Sequence, residues 1–274
     1  MSGISLITLP IGNKDDITKR AISTLEAHKY IYCEDTRVFK DLCQRTGFDY
    51  SEKEIRSYHD HSSEQALAKL LQVAVEFGLC FVSDAGSPIV SDPAFPIIEK
   101  AIEQGVEIES IGGVSAVITA LELSGLPPIP FHFHGFLPRD GGKINTALDI
   151  VNQQYGTHLF FEGVSRAQKT IQLIGEKFPE FNIAVCRELT KEHQSIHRFK
   201  GEQVSDVIGD ITFKGEFVLA INNSNKSSAK GSGDLLKLAE EIIAKGAKPK
   251  TLAKLLAQIT DKNSKEIYGK LTQD

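Results

Sequence analysis

Ionisable residues in this sequence collect where short apolar runs end, and those junctions are the places to look for chemistry. Phe81-Val82 leads into Ser83-Asp84-Ala85-Gly86-Ser87-Pro88, then Ile89-Val90 and a second turn, Ser91-Asp92-Pro93. A packing turn needs one Gly or Pro. This one uses several turn formers and two carboxylates, the composition of a loop that holds backbone N–H and C=O groups at fixed angles for a ligand. Other junctions follow suit: Tyr30-Ile31-Tyr32-Cys33 ends in Glu34-Asp35-Thr36-Arg37, Glu54 to Tyr58 ends in His59-Asp60-His61, and Val106 to Ile111 ends in Gly112-Gly113-Val114-Ser115-Ala116. Asp35, His59 and Glu188 sit at expected strand exits and are candidate general bases. Each also reads as an ion-pair partner, Asp35 with Arg37 for instance. Arg37 and Lys191 could hold phosphates.

Several chemistries lack their motif. No Gly-x-Gly-x-x-Gly follows the first apolar run and no Gly-Lys-Ser/Thr loop occurs, so a phosphate-anchored nucleotide has no cradle. Gly113-Val114-Ser115-Ala116-Val117 lacks the second glycine of a nucleophile elbow, which weighs against a serine hydrolase. The pairs His59/His61 and His132/His134 have metal-ligand spacing, but two histidines rarely suffice, and His132 and His134 alternate with phenylalanines as the wet face of a strand would. Cys33, Cys43, Cys80 and Cys186 form no Cys-x-x-Cys pair. Neither a disulfide nor a metal site is expected.

Turn signals and apolar periodicity supply the elements that must position these residues. Ile4 to Leu9 reads as a strand, and Ile17, Ala21 and Leu25 form the stripe of a helix capped by Asp15 or Asp16. Helices are expected over Lys40 to Thr46, Gln65 to Phe77, Pro96 to Gln104 and Val117 to Leu123. Successive βα units predict an open, largely parallel sheet with helices on both faces, whose ligands lie at the carboxyl ends of the strands. Pro10 to Asn13, Glu34 to Arg37, Asp84 to Ser87 and Gly112 to Ala116 should therefore converge.

Ser124-Gly125-Leu126-Pro127-Pro128-Ile129-Pro130 marks a composition break and a natural linker. Beyond it, strand-like runs at Phe131 to Leu137, Thr157 to Glu162, Asn182 to Leu189 and Phe217 to Ile221, with one clear helix from Ser165 to Glu176, predict a mixed, partly antiparallel α+β domain. The expected division is 1–124, 125–225, and a linker with amphipathic helices over 226–274. The chain has 274 residues and a net charge of −5, but residues 226–274 carry ten lysines against six carboxylates. A basic appendage on an acidic body can touch nucleic-acid phosphate, or be a solvated helical face. The start carries no basic and apolar leader pattern and the apolar runs are short, so a cytoplasmic protein with no membrane span is expected.

Leu9-Pro10-Ile11-Gly12-Asn13 with Asp16-Ile17-Thr18, Glu34-Asp35-Thr36-Arg37, His59-Asp60-His61, Ser83-Asp84-Ala85-Gly86-Ser87-Pro88 with Ser91-Asp92-Pro93, Ser124-Gly125-Leu126-Pro127, Gly135-Phe136-Leu137-Pro138, Phe160-Phe161-Glu162, Arg187-Glu188-Leu189-Thr190-Lys191 and Lys214-Gly215-Glu216 occur in that order. Together they resemble the tetrapyrrole (corrin/porphyrin) methylase family, in its branch that methylates ribosomal RNA. The resemblance runs from about Ile4 to Leu271.

It implies an α/β protein of the class III methyltransferase type. Two α/β domains would enclose a cofactor cleft, followed by a small C-terminal helical extension. It implies S-adenosylmethionine as cofactor, a homodimer, and 2′-O-methylation of a cytidine in 16S rRNA of the small ribosomal subunit. Carried over by motif, the cofactor residues are Pro10, Ile11, Asp84, Ala85, Gly86, Ser87, Val90, Ser115, Ala116, Glu162 and Leu189. In the loop after Val82 the useful atoms are expected to be backbone groups of Ala85, Gly86 and Ser87, with Asp84 and Asp92 shaping the turns rather than doing chemistry. Backbone groups of tight loops suit a cofactor that has a sulfonium, an amino acid tail and an adenine but no phosphate. Gly112 to Ala116 lacks both prolines of the family's Pro-Gly-Pro-Ser-Ala and should be a looser loop. Lys14 replaces an apolar residue of the family's first motif, and Gly163-Val164-Ser165-Arg166 keeps only the Arg of its Ser-Pro-His-Arg, as in a divergent member. Two rivals stay open: a methylase of the same fold acting on a tetrapyrrole or other small acceptor, and a cofactor-binding protein without turnover.

Overall fold

The structure is a computed structural model that describes residues 2–59, 62–90, 94–225, 239, 242–243, 246–259 and 263–272. His61 and Asp92 lie outside the described residues, as does most of 226–245. The chain divides into two compact units, Met1–Asp140 with Gly156–Asn222, and Gly141–Tyr155 with Asn223–Asp274.

The first unit begins with the parallel sheet. Strands β1 (Ile4–Ile7), β2 (Tyr30–Cys33), β3 (Glu54–Ser57), β4 (Leu79–Val82) and β5 (Ile108–Ile111) lie in the order β3-β2-β4-β1-β5, and each neighbouring pair is parallel. Side-chain alternation divides β4 between two cores. Leu79 and Phe81 pack with Leu70, Leu71, Ile97 and Ala101 from helices α3 (Glu64–Phe77) and α4 (Phe95–Glu103). Cys80 and Val82 pack with Ala21, Leu25, Phe39 and Leu42 from α1 (Lys19–Ala27) and α2 (Thr36–Thr46). A sheet covered on both faces is why the central strands β2 and β4 read as continuous apolar runs. All four cysteines are free and buried, and burial pushes each thiol up to about 12.

Two helix starts differ from expectation. Lys14–Asp16 is a short 3-10 turn capped by Asn13, and α1 is capped by Thr18, whose side chain accepts the Ala21 N–H at 3.0 Å. Helix α2 starts at Thr36 rather than near Lys40, because Asp35 caps it by accepting the Arg37 N–H at 2.8 Å.

Helix α5 (Ala116–Ser124) ends at left-handed Gly125, inside the expected linker. Its Val117, Ala120 and Leu121 pack on the second sheet with Leu159, Ala184, Cys186 and Val218. That sheet holds β6 (Phe131–Phe136), β7 (Gly156–Glu162), β8 (Asn182–Arg187), β9 (Ser195–Lys200) and β10 (Phe217–Asn223) in the order β6-β7-β10-β8-β9. It is mixed, since β6 and β7 are parallel while β8 runs antiparallel to β9 and β10. Helix α7 (Val164–Lys177) follows β7. Edge strand β9 was not expected, because Ser-Ile-His-Arg-Phe-Lys does not alternate cleanly.

The wet-face reading of His132 and His134 is corrected. Pairing in register sets His132 opposite His158, which is fully buried. His134 Nε2 lies 2.9 Å from His158 Nδ1 and its ring stacks on Phe160 at 4.7 Å. Burial, with His132 nearby, holds the His134 imidazole below its usual range.

In the second unit, α6 (Gly141–Gln153) buries Leu148 and Val151. It was missed because it opens with two glycines, a poor helix signal. Helices Pro249–Ile259 and Ser264–Leu271 pack through Ala253, Leu256 and Ile267, with Pro249 at the first helical position, which suits proline. No described helix is long and apolar enough to cross a membrane.

Thr18→Ala is expected to lower stability by about 1 kcal/mol in urea denaturation through loss of the cap, whereas Asp15→Ala should stay within about 0.5 kcal/mol.

Candidate functional site

Strand order decides which exits can meet. β1 lies between β4 and β5, so the loops after these three strands are neighbours. Leu9 and Gly86 join two of them through a reciprocal pair of bonds, Leu9 N–H to Gly86 O at 2.9 Å and Gly86 N–H to Leu9 O at 3.1 Å. Gly86 has φ +70°, and a Cβ there would sit 3.3 Å from Ile11 Cγ2, so both its conformation and its surroundings call for glycine. The Ser83 hydroxyl donates to Ala85 O at 3.1 Å and closes the turn from within. The third exit is pinned at Gly113, where a Cβ would lie 3.0 Å from the Thr8 side chain and 3.1 Å from its carbonyl.

The exit of β8 in the second sheet lies against this cluster. A Cβ on Gly12 would lie 2.8 Å from Thr190 Oγ1 and 3.1 Å from Leu189 O, and Asn13 N–H donates to Thr190 Oγ1 at 3.1 Å. Glu188 and Thr190 adopt positive φ, 51° and 63°, a conformation costly for ordinary residues and often found where a site needs it. Gly215 has φ +84° and faces the Glu188 side chain so closely that no Cβ would fit.

These loops enclose a cavity of about 460 Å³ lined by Ile11, Asp84, Ala85, Gly86, Ser87, Val90, Ser115, Ala116, Val117, Phe136, Phe161, Glu162, Gly163, Val164, Leu189 and Gly215 to Val218. Such a volume is in the usual range for a small-molecule site. Of the residues expected to hold the cofactor, Ile11, Asp84 to Ser87, Val90, Ser115, Ala116, Glu162 and Leu189 come together here; Pro10 does not line the cavity. Nor do Asp35, Arg37, His59, Glu188 and Lys191. The exit of β2 reaches the site only at second hand, through the Asp35 N–H, which donates to Asp84 Oδ1 at 3.0 Å. Not foreseen were Val117, Phe136, Phe161, Gly163, Val164 and the segment Gly215 to Val218. The motifs Gly135-Phe136-Leu137-Pro138 and Lys214-Gly215-Glu216 were the available signal.

The carboxylates differ sharply. Arg37 donates to both Asp35 oxygens, at 3.1 and 2.6 Å, and with the Arg37 N–H holds that carboxyl down at about 2. Burial pushes Glu188 up, but Lys191 at 2.8 Å, the Glu216 N–H and Arg187 outweigh it and leave it below the ordinary range. Burial works against the Lys191 ammonium too, yet Glu188 and Glu216 hold its pKa up. Glu162 lines the cavity with its oxygens engaged: it accepts the Gly163 N–H and the Thr170 hydroxyl, each at 2.7 Å, and pairs with Arg166 at 2.5 Å. Asp84 is different. Burial, with the Asp35 charge beside it, raises its carboxyl against the single N–H it accepts, and among the described residues no cation pairs with it.

The family model for Tetrapyrrole (Corrin/Porphyrin) Methylases matches residues 3–205. Over 272 residues the chain is 34% identical to the Ribosomal RNA small subunit methyltransferase I of Mycoplasma pneumoniae, covering 98% of each chain. Among solved structures, it resembles a diphthine synthase (TM-score 0.61, 14% identity, 80% of this chain and 88% of that one). It also resembles a uroporphyrin-III C-methyltransferase from Thermus thermophilus complexed with S-adenosylhomocysteine (TM-score 0.54, 15% identity, 81% and 98%). At these identities the two structures speak for the fold alone.

Glu162→Ala leaves Arg166 without its carboxylate and is expected to cost about 3 kcal/mol in chemical denaturation. A loss below about 1 kcal/mol would mean that Glu162 does not brace this wall.

Proposed function

We infer the reaction from the premise that this chain belongs to the tetrapyrrole (corrin/porphyrin) methylase family: it methylates small-subunit ribosomal RNA from S-adenosylmethionine, at the ribose 2′-hydroxyl of a cytidine in 16S rRNA. The observation that carries this reading is the cavity at the exits of β1, β4 and β5, within a chain that aligns over nearly its whole length with a relative named for rRNA methylation. The solved neighbour named with S-adenosylhomocysteine supports the choice of cofactor.

The residues fit this cofactor. Gly86 and its neighbours offer backbone groups without a phosphate cradle, Ile11, Ala116, Leu189 and Phe217 offer apolar walls for an adenine, and Asp84 offers a carboxylate. When bound, S-adenosylmethionine supplies an electrophilic methyl group. The protein aligns acceptor with donor and removes a proton, since a ribose hydroxyl is a poor nucleophile at neutral pH. Among the ionisable residues lining the cavity we assign the proton to Asp84. Its carboxyl is raised by burial, whereas of the other lining carboxylates Glu162 is engaged by Gly163, Thr170 and Arg166 and Glu216 is paired with Lys191. Asp35 and Glu188, which do not line the cavity, are held down by Arg37 and Lys191. Asp35 supports Asp84 through its N–H, and His59 stands at the exit of edge strand β3. Arg37, with its side chain 88% exposed, Lys191, and exposed Lys250, Lys254 and Lys265 of the extension are the cations we assign to RNA phosphate. We retain 1–124 and 125–225 as the domains flanking the cofactor and a cytoplasmic homodimer as the working form, for which exposed Val75, Phe77, Phe95 and Ile102 on α3 and α4 provide apolar surface.

The test uses labelled S-adenosylmethionine and small ribosomal subunits that lack the modification, with the 2′-O-methyl mapped afterwards. Label at a cytidine ribose is expected; label on a precorrin and none on RNA would contradict the reading. Asp84→Asn should lower kcat by about 10²- to 10⁴-fold. In the wild type kcat should fall as pH drops through the raised carboxyl value, because only the deprotonated form accepts the proton. An unchanged kcat in Asp84→Asn would exclude it as the base.

A further inference from the structure

Phe136 is the most exposed large apolar residue that lines the cavity, at 58%, and the fold makes a local irregularity to put it there. Strand β6 pairs with β7 regularly through Phe131, His132 and Phe133, opposite Thr157, His158 and Leu159. The register then slips, so that Phe136 lies opposite Phe161. From Phe133 to Phe136 the chain advances three residues while its partner advances two. The extra residue falls beside Gly135, which has φ +68°, the mark of a bulge that re-aims a side chain. In regular alternation Phe136 would share a face with His132 and His134. Instead it packs on Phe161 at 5.4 Å, as Phe133 does at 4.8 Å.

The ring is also held. After it, Leu137 is buried and its N–H donates to Phe161 O at 3.3 Å. Arg166 donates to the carbonyls of Leu137 and Pro138, at 3.0 and 2.7 Å. A rigidly mounted aromatic ring that stays mostly in solvent is not a core residue. Its contact with Phe161 is tilted at 65°, and among the described residues no other ring stacks on it. A group enclosed in the cavity would meet the buried lining; the exposed ring awaits something that arrives from outside.

We propose that Phe136 is a stacking platform for the nucleobase of the acceptor nucleotide, which leaves the RNA stack so that its ribose can enter the cavity. The proposal rests on the reading that RNA is the substrate. Every base has a π-face, and single-stranded RNA is commonly gripped by aromatic side chains on which unstacked bases lie. Exposed Arg139 follows three residues later on the same segment and suits an adjoining phosphate.

The experiment compares wild type with Phe136→Ala, Phe136→Leu and Phe136→Tyr in steady-state methylation of unmodified small subunits. S-adenosylhomocysteine affinity is measured by calorimetry, and thermal unfolding and sedimentation check fold and assembly. Losing one base stack should raise KM for the subunit by roughly 5- to 150-fold in the Ala variant. The Leu variant, which keeps apolar bulk without a π-face, should behave likewise. The Tyr variant should stay near wild type, and S-adenosylhomocysteine affinity should not change. A wild-type KM in the Ala and Leu variants overturns the proposal. So does a matching loss of S-adenosylhomocysteine affinity, which would give the ring to the cofactor, or loss of a dimer, which would give it to a second copy. Wild-type protein that binds S-adenosylhomocysteine but methylates no RNA contradicts the reaction itself, and that result is distinct from a failure of Phe136 alone.

Discussion

The two hydrogen bonds between Leu9 and Gly86 are the constraint on which the site depends. They join the exits of adjacent parallel strands β1 and β4, and they form only because Gly86 takes a left-handed conformation against Ile11. Once the loops are joined, the backbone of Ala85, Gly86 and Ser87 is fixed at the cavity wall. Gly113 brings the β5 exit down onto Thr8, and Gly12 lets Leu189 and Thr190 of the second sheet approach from the other side. Three glycines at close approaches thus bring four of the loops around the cavity together, before any side-chain chemistry is considered.

Electrostatics then separates the carboxylates by role. Asp35, Glu188 and Glu162 each face a cation: Arg37, Lys191 and Arg166. Those pairs brace a helix cap, a strained loop and the start of α7. Among the described residues, Asp84 carries its burial without a cation. Its isolation follows from sequence position, in a turn whose other members are Ser, Ala, Gly and Pro.

Much of this was legible in the sequence because parallel strands buried on both faces leave short apolar runs, and each run ended in turn formers that marked its exit. Periodicity could not give strand order. It therefore could not say that the Glu34–Arg37 exit would stand one strand removed from the cavity while those of β1, β4 and β5 met. Local pattern also misjudged residues whose partners are distant. His132 and His134 look like a wet face until β7 places His158 opposite, and Thr18 rather than Asp15 or Asp16 caps α1 because the preceding residues wind into a 3-10 turn. The β6 bulge left one visible sign, Gly135 next to Phe136, but an isolated glycine in a strand does not tell which way the following side chain will turn.

If the loops joined by Leu9 and Gly86 form the cofactor site, the ligand must bind between them. A crystal structure with S-adenosylhomocysteine tests it most directly. The ligand is expected against the backbone of Ala85 to Ser87 and Ser115-Ala116, with Ile11 and Leu189 as walls and the Asp84 carboxylate beside the sulfur end. Ligand density elsewhere on the molecule, with this cavity holding only solvent, would contradict it.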